Sequence, residues 1–215
     1  MRARRTHASI SPLKMAHAAA AVSVGSHPVH STATGVPNGK LGMWLFLASE
    51  VMFFTGLISA YLILRIGHPQ WPGPEGHLSV PLGTMNTLFL IGSSVTIVLA
   101  LAASHRHAIQ AVRGWLLITI LLGSLFLIIK GTEYSAKFSH HIIPSTNIFW
   151  ACYYVLTGFH GLHVLGGIIF NLVVLAWTFN EEAWKANHRR LEFAGLYWHF
   201  VDIVWIFLFP LLYLI

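Results

Sequence analysis

A run of apolar residues from Leu41 to Leu64 is the feature that most restricts how this chain can fold. It is bracketed by Lys40 and Arg65 and contains a single ionisable group, Glu50. At about 1.5 Å per residue, a helix of this length covers the roughly 30 Å hydrocarbon core of a bilayer. The run therefore predicts a transmembrane helix that carries a carboxyl group about 15 Å inside the membrane.

The composition of the whole chain supports a membrane location. Of its 215 residues, 55% are hydrophobic and only 9% are charged, whereas about 25% are charged in an ordinary soluble domain. The net charge of +6 does not indicate a nucleic-acid partner, because the basic residues are scattered over loops between apolar segments. Cys152 is the only cysteine, so an intrachain disulfide is impossible.

Four further apolar segments predict four more transmembrane helices. They are Leu82–Ser104, Gly114–Ile129, Ile148–Phe179 and Phe193–Ile215. The expected fold class is therefore an all-α integral membrane protein with five transmembrane helices in a bundle. Residues 40–215 form this membrane domain, and residues 1–39 are predicted to be a basic, largely disordered tail.

Two of the connections between spans carry further expectations. The third span is short, so its helix is expected to continue through Lys130, Glu133 and Tyr134 until Pro144 stops it. We expect this charged end to meet water or another subunit. The segment EEAWKANHRRLE, residues 181–192, is predicted to be an amphiphilic connection between the last two spans.

The distribution of basic residues predicts the orientation. Lysine and arginine are enriched in loops on the cytoplasmic side of a membrane protein. Five spans place ten basic residues on the N-terminal side and three on the other, which predicts a cytoplasmic N-terminus and an external C-terminus. The ten are Arg2, Arg4, Arg5, Lys14, Lys40, Arg106, Arg113, Lys185, Arg189 and Arg190; the three are Arg65, Lys130 and Lys137.

Glu50 is the most unusual polar residue within a predicted span. An acidic side chain at the middle of a bilayer costs roughly 2.5–3.5 kcal/mol, so it is expected to face protein and to serve a function. The alternative is a neutral, hydrogen-bonded carboxyl that only attaches this helix to its neighbours. We predict that Glu50 contacts the helix that bears His160 and His163.

Two polar pairs lie within the last two spans, His160 with His163 and His199 with Asp202. A spacing of three residues places each pair along one side of its helix, and His199 and Asp202 could share a proton. Histidines one turn apart cannot occupy both axial positions of one haem. A metal site built from all four residues remains an alternative, although buried histidines satisfied by hydrogen bonds are far commoner.

These residues alone leave two classes of protein open. One is a structural or proton-handling component of a larger complex. The other is a small proton-coupled transporter in which Glu50, His163 and Asp202 line a pathway. No phosphate-binding loop, nucleophile elbow or zinc-binding cysteine set is present in the sequence.

Three motifs resemble subunit III of the haem-copper cytochrome c oxidases. They are LASEVMFFTG at residues 47–56, GFHGLHVLGG at 158–167 and EFAGLYWHFVDIVWIFLF at 192–209. The similarity extends over residues 40–215 and is to the bacterial five-helix form. Weaker matches are Asn86, the small residues 92–94 and the pair Glu133–Tyr134, while Lys130 replaces the glutamine that is usual in the family.

This resemblance implies a supporting role in aerobic respiration. The chain would carry no catalytic residue, metal or cofactor, while haem and copper lie in partner subunits. It would bind subunit I principally, subunit II, and phospholipid in a bacterial inner membrane, and would sustain proton uptake during oxygen reduction. An equivalent subunit of a quinol oxidase or nitric oxide reductase is the alternative. The family positions implied to be structural or proton-related are Glu50, Glu133, His160, His163, Glu192, Trp198, His199, Asp202 and Trp205.

Overall fold

The computed structural model describes residues 38–74 and 76–214, and the predicted N-terminal tail lies outside them apart from residues 38 and 39. Within the described residues, five helices are long and apolar enough to cross a membrane, which confirms the predicted fold class. These are α1 (Asn38–Gly67), α2 (Val80–His105), α3 (Ile109–Ser139), α4 (Ile148–Trp177) and α6 (Arg190–Phe209), with the short helix α5 (Glu181–Asn187) before the last span.

Local sequence signals account for several helix ends. Helix α1 stops two residues before Pro69, and α2 carries Pro81 in its first turn, where the missing backbone N–H is tolerated. The Asn147 side chain caps α4 by accepting a hydrogen bond from the backbone N–H of Trp150 at 2.9 Å. The Asn180 side chain caps α5 in the same way.

The connections on the N-terminal side of the bundle differ from the sequence-based expectation. Helix α3 begins at Ile109 rather than Gly114, so only residues 106–108 join it to α2. Arg113 is therefore helical. Its guanidinium donates hydrogen bonds to Thr178 at the end of α4 and lies 4.5 Å from the centroid of the Phe179 ring. The predicted amphiphilic connection contains helix α5.

Helices α2, α3, α4 and α6 form the body of the bundle, and the most extensive pairing is between α2 and α3. Helix α1 is more peripheral, since only Leu47, Phe54 and Tyr61 on it are buried. Their spacing of seven residues places them on one side of the helix. Most of the remaining apolar surface of α1 is exposed, as is expected for a helix that contacts lipid or another polypeptide.

Trp198 of α6 is inserted between the other helices of the body. Its indole N–H donates to Ser93 on α2 at 2.9 Å. Its ring lies so close to Gly123 on α3 and Gly167 on α4 that an added Cβ at these glycines would be 2.6 Å and 2.7 Å from ring carbons. The absence of a side chain at both glycines allows the four helices to approach one another.

The last span ends in a π-helical turn, Pro210–Leu214. Pro210 has no backbone N–H, and its ring conflicts with the carbonyl of the preceding turn, so regular α-helix is disfavoured there. The wider turn keeps Leu212 and Tyr213 buried against the bundle. Tyr213 thereby reaches the charged end of α3.

We expect Gly167→Ala to destabilise the protein. The new methyl group would overlap Trp198, and overpacking costs about 1–3 kcal/mol, which exceeds the gain of up to about 1 kcal/mol in helix propensity. Gly158→Ala is the matched control, because it lies on the same helix with open space around its Cβ position. Thermal denaturation of the purified protein should give a lower midpoint for Gly167→Ala only; equal midpoints would contradict the packing role of Trp198.

Candidate functional site

Glu50 and His163 form a hydrogen-bonded pair between α1 and α4. Glu50 Oε2 lies 2.9 Å from His163 Nε2, and the two side chains are only 20% and 17% exposed. The prediction that Glu50 contacts the helix bearing His163 is thus confirmed. Phe54 stacks edge-on against the imidazole at 5.0 Å, which adds an apolar wall to the pair.

The surroundings of His163 determine how many protons the pair holds. Its Nδ1 lies 2.7 Å from the Phe159 carbonyl oxygen, which only accepts, so Nδ1 carries a hydrogen. The contact between Nε2 and Glu50 then needs one further proton, located on the imidazole or on the carboxyl group. The geometry therefore defines a pair that shares one proton, as a neutral acid with a neutral imidazole or as an ion pair.

His160 does not take part in this pair, although it lies one turn away. It is fully buried, stacked at 5.0 Å on Trp205 of α6 and edge-on at 5.6 Å to Phe126 of α3. Neither ring nitrogen has a hydrogen-bond partner among the described residues. The expected burial of His160 is therefore confirmed, but the alternative in which a buried histidine is satisfied by hydrogen bonds does not hold for it among the described residues. Although His160 and His163 are three residues apart on α4, they face different neighbours.

The charged end of α3 is buried, which corrects the expectation that it meets water or another subunit. Glu133 accepts from Lys130 at 3.0 Å and from Lys137 at 2.6 Å, and all three side chains are less than 10% exposed. Tyr153 and Tyr213 donate to the same carboxylate at about 3 Å. The Glu133 cluster, meaning these five residues, satisfies its charges internally and so can lie inside the bundle.

Lys130 has additional aromatic contacts. Its ammonium lies 4.9 Å from the ring centroids of both Trp205 and Tyr213 and 5.3 Å from that of Tyr153. Such cation–π contacts are strongest where the cation is desolvated. They explain how a lysine is accommodated inside the bundle.

Sequence reasoning missed the tyrosines of the Glu133 cluster. Tyr153 and Tyr213 lie within the last two apolar segments, where nothing in the local sequence marks them as partners of Glu133. A usable signal exists, since a buried tyrosine hydroxyl requires a hydrogen-bond partner. The pairing with a carboxylate 20 or 80 residues away depends on helix packing, which the sequence alone does not reveal.

His199 and Asp202 are not hydrogen-bonded to each other, although their spacing would allow a shared proton or a charge-assisted hydrogen bond. His199 Nδ1 lies 2.6 Å from the Ser94 hydroxyl on α2. Asp202 is 4% exposed, and neither of its carboxylate oxygens has a hydrogen bond within the described residues. Ser94 lies beside both groups but meets hydrogen-bond geometry only with His199.

Glu192 lies two helical turns before His199 and lines a surface groove with it. No group of three or more His, Cys, Asp or Glu side chains is arranged to hold a metal ion within residues 38–74 and 76–214. The alternative metal site therefore has no geometric support: His163 faces α1, His160 faces Trp205, and His199 faces α2.

An exposed ion pair provides a contrast to the Glu133 cluster. Lys185 and Glu181 on α5 are 2.6 Å apart with the same four-residue spacing as Lys137 and Glu133, but their side chains are 71% and 75% exposed. The hydrogen bond from Lys185 lowers the pKa of Glu181. Water competes for both partners at this site, so the pair contributes little to stability.

The fold and these sites define a multi-pass helical membrane protein with an acid–imidazole pair and a buried ion cluster between its helices. The family model of cytochrome c oxidase subunit III matches residues 19–215. The cytochrome c oxidase subunit 3 of Thermostichus vulcanus is 43% identical over 81% of this chain and 86% of its own length. That of Corynebacterium diphtheriae is 36% identical over 87% and 94%, and that of Synechocystis sp. is 42% identical over 84% and 78%.

The chain therefore belongs to the cytochrome c oxidase subunit III family, and it is a subunit of a haem-copper oxidase complex. The match extends over most of both the chain and its relatives. The resemblance drawn from the three sequence motifs is thus confirmed.

We expect Glu133→Gln to destabilise the protein strongly. Removing the carboxylate leaves Lys130 and Lys137 buried without a counter-charge, and loss of one partner from a buried ion pair costs about 3–5 kcal/mol. Glu181→Gln, which removes the exposed pair of equal spacing, is the control and should leave stability unchanged. The measurement is the midpoint of thermal denaturation; a Glu133→Gln midpoint equal to that of the control would show that the cluster does not stabilise the bundle.

Proposed function

We propose that the chain is an accessory, non-redox subunit without a catalytic centre of its own. It binds the catalytic subunit I of the oxidase principally, with further contacts to subunit II, and stabilises that complex during aerobic oxygen reduction. Haem and copper are carried by the partner subunits. The observation that carries this proposal is the proton-sharing pair of Glu50 and His163, set between two transmembrane helices.

The environment of the histidines supports a role without a redox centre. Both nitrogens of His163 are engaged, one by Glu50 and one by the Phe159 carbonyl. His160 is enclosed by aromatic rings. Neither histidine presents an accessible nitrogen for an axial haem ligand, so the chain's own residues fit a proton-handling site better than a haem site.

The Glu50 pair is suited to support proton uptake by the catalytic subunit. It holds one proton between two groups, and its side chains retain slight exposure. A carboxyl group at this depth is stable only while it is protonated or paired. We infer that the pair keeps α1 attached to α4 whether the shared proton lies on the Glu50 carboxyl or on the His163 imidazole.

A groove between α1 and α4 supports phospholipid binding. Its volume is about 210 Å³. Burial of an acyl chain there would be favourable because the walls are almost entirely apolar. The lining residues are Leu57, Ala60, Tyr61, Leu64, Ile148, Ala151, Cys152, Val155 and Leu156. A bound lipid would fill the space beside the peripheral helix α1.

The orientation we propose has the N-terminus in the cytoplasm and the C-terminus outside a bacterial inner membrane. Short connections make successive spans run in opposite directions, so α5 lies on the same side as the start of α1. Arg106, Lys185 and Arg189 lie in the connections on that side, and Arg190 is the first residue of α6. An excess of basic residues in short loops is typical of the cytoplasmic side.

Purification of the gently solubilised complex tests the accessory role. An affinity tag on this chain should recover haem-bearing oxidase subunits, which are identified by mass spectrometry and by the absorption spectrum. The separated chain should have no haem absorption of its own. Recovery of the chain alone, with solute transport after its reconstitution in liposomes, would instead support the transporter alternative.

We expect Glu50→Gln to leave assembly, haem content and initial electron transfer largely intact. The glutamine amide can still donate to His163 Nε2, so the link between α1 and α4 persists, while the shared proton is lost. The oxidase should therefore lose activity sooner during sustained turnover, as oxygen-electrode recordings would reveal. Ser49→Ala, on the neighbouring exposed position of α1, is the control, and loss of haem from Glu50→Gln would contradict the non-redox role.

A hydrophobic carbodiimide offers a direct test of the proton on Glu50. Carbodiimides react with protonated carboxyl groups, and Glu50 retains some exposure beside the membrane-facing surface of α1. We expect labelling of the wild-type chain near neutral pH and none at residue 50 in Glu50→Gln, measured by peptide mass spectrometry. An unlabelled Glu50 in the wild type would indicate that the proton resides on His163.

A further inference from the structure

We propose that a groove between α2 and α6, lined by His199, receives a transmembrane helix of another oxidase subunit that offers a hydrogen-bonding side chain. This proposal rests on the membership of an oxidase complex and specifies which surface of the chain makes the contact. The groove has a volume of about 240 Å³. Its walls are Ile97, Val98 and Leu101 from α2, and Glu192, Gly195, Leu196 and His199 from α6.

Three ionisable residues and a glycine lie along the side of α6 that borders this groove. Glu192, Gly195, His199 and Asp202 are spaced by three, four and three residues, which places them on one side of the helix. Three of the four are ionisable; Glu192 and His199 are partly exposed, whereas Gly195 and Asp202 are buried. Such residues within a membrane span mark protein contacts rather than lipid contacts.

His199 provides the polar contact in the groove. Its Nδ1 is fixed by the Ser94 hydroxyl, which orients the ring, while Nε2 makes no hydrogen bond within the described residues. The imidazole lines the groove, so a side chain from a partner helix could reach it. Asp202, one turn further along, is buried with both oxygens lacking hydrogen bonds.

Gly195 provides the space for a close approach. A Cβ at this position would have no atom within 4 Å, although Gly195 lies between Glu192 and His199 on the groove floor. Small residues at this kind of position allow helix backbones in a membrane to approach closely. The glycine therefore opens the floor of the groove at the centre of the polar line.

A lipid acyl chain fits the groove less well than a polypeptide. Hydrocarbon forms no hydrogen bonds, so it would leave the free nitrogen of His199 unsatisfied, and unsatisfied polar groups in hydrocarbon are costly. A helix with a serine, threonine, asparagine, tryptophan or arginine side chain would satisfy it. The occupant that matches both the open glycine and the histidine is a transmembrane helix.

The exposed surface of α3 that follows Gly114 differs from the groove around Gly195 in having no ionisable residue. Gly114 also has open space around its Cβ position, and it lies six residues into its helix, as Gly195 does in α6. The exposed residues that follow it are Leu117, Ile118 and Leu121, without an ionisable group. This surface is suited to lipid. Gly114 is therefore a control that shares the helix position and the open Cβ site of Gly195, although Gly114 is exposed and Gly195 is buried.

We expect Gly195→Leu to detach the chain from the oxidase. The added side chain would occupy the site of the partner helix, and overpacking of this kind lowers retention by about tenfold. The measurement is the amount of this chain per haem after purification through a tag on a haem-bearing subunit. Gly114→Leu should be retained like the wild type, and equal retention of Gly195→Leu would overturn the proposal.

Photo-crosslinking tests the same contact without blocking the groove. Benzoylphenylalanine at Val98, on the groove wall, should form a covalent product with an oxidase subunit identified by mass spectrometry. The same residue at Ile118, on the α3 surface, should give lipid adducts only. Lipid adducts alone from Val98 would overturn the groove assignment.

The two experiments separate this proposal from the membership of a complex. If the wild-type chain is absent from the purified oxidase, the accessory role itself fails and the groove proposal falls with it. If the wild-type chain is retained but Gly195→Leu is retained equally, only the location of the interface is wrong.

Discussion

Hydrocarbon offers no hydrogen bonds, so each polar group within these five spans must find a partner inside the protein or in a neighbouring molecule. Three sets of contacts satisfy this requirement, whereas the side chains of His160 and Asp202 have no hydrogen-bond partner among the described residues. Glu50 is matched to His163 across α1 and α4; Glu133 is surrounded by two lysines and two tyrosines; and Ser94 engages His199. Each of these contacts joins residues of different helices, so the polar residues add to the apolar packing between neighbouring helices.

The Glu133 cluster and the Glu50 pair differ in the number of bonds by which they connect helices. The Glu133 cluster joins α3, α4 and the final turn through several simultaneous bonds, so it behaves as a rigid junction. The Glu50 pair is a single hydrogen bond on a helix with only three buried residues. Helix α1 is consequently the least buried of the five described spans.

Much of the fold follows from the sequence because hydrophobic length alone identifies membrane spans. The third helix was expected to pass through Lys130 and Glu133, and it does. The burial of that segment was not foreseen, because charged residues near the end of a span usually indicate water. The compensating groups, Tyr153 and Tyr213, come from distant parts of the chain and become neighbours only through packing.

In the candidate site, too, one contact could be predicted from the sequence and another depended on how the helices pack. The contact of Glu50 with the helix of His163 could be inferred, since an isolated acid in a membrane requires a partner. The separation of His160 from His163 could not, because a spacing of three residues is compatible with a shared neighbour or with two different ones. Sequence spacing limits the possible contacts of a helix, and the packing of adjacent helices selects among them.

Pro210 has an effect beyond the local loss of a hydrogen bond. A π-helical turn contains more residues per turn than an α-helix, so side chains after it are displaced by as much as one residue, about 100° of rotation about the axis. Tyr213 lies within that turn, and its angular position is set by it. The proline thereby changes the rotation of the following side chains about the helix axis. This rotation places the hydroxyl of Tyr213 next to Lys130, which lies more than eighty residues earlier in the sequence.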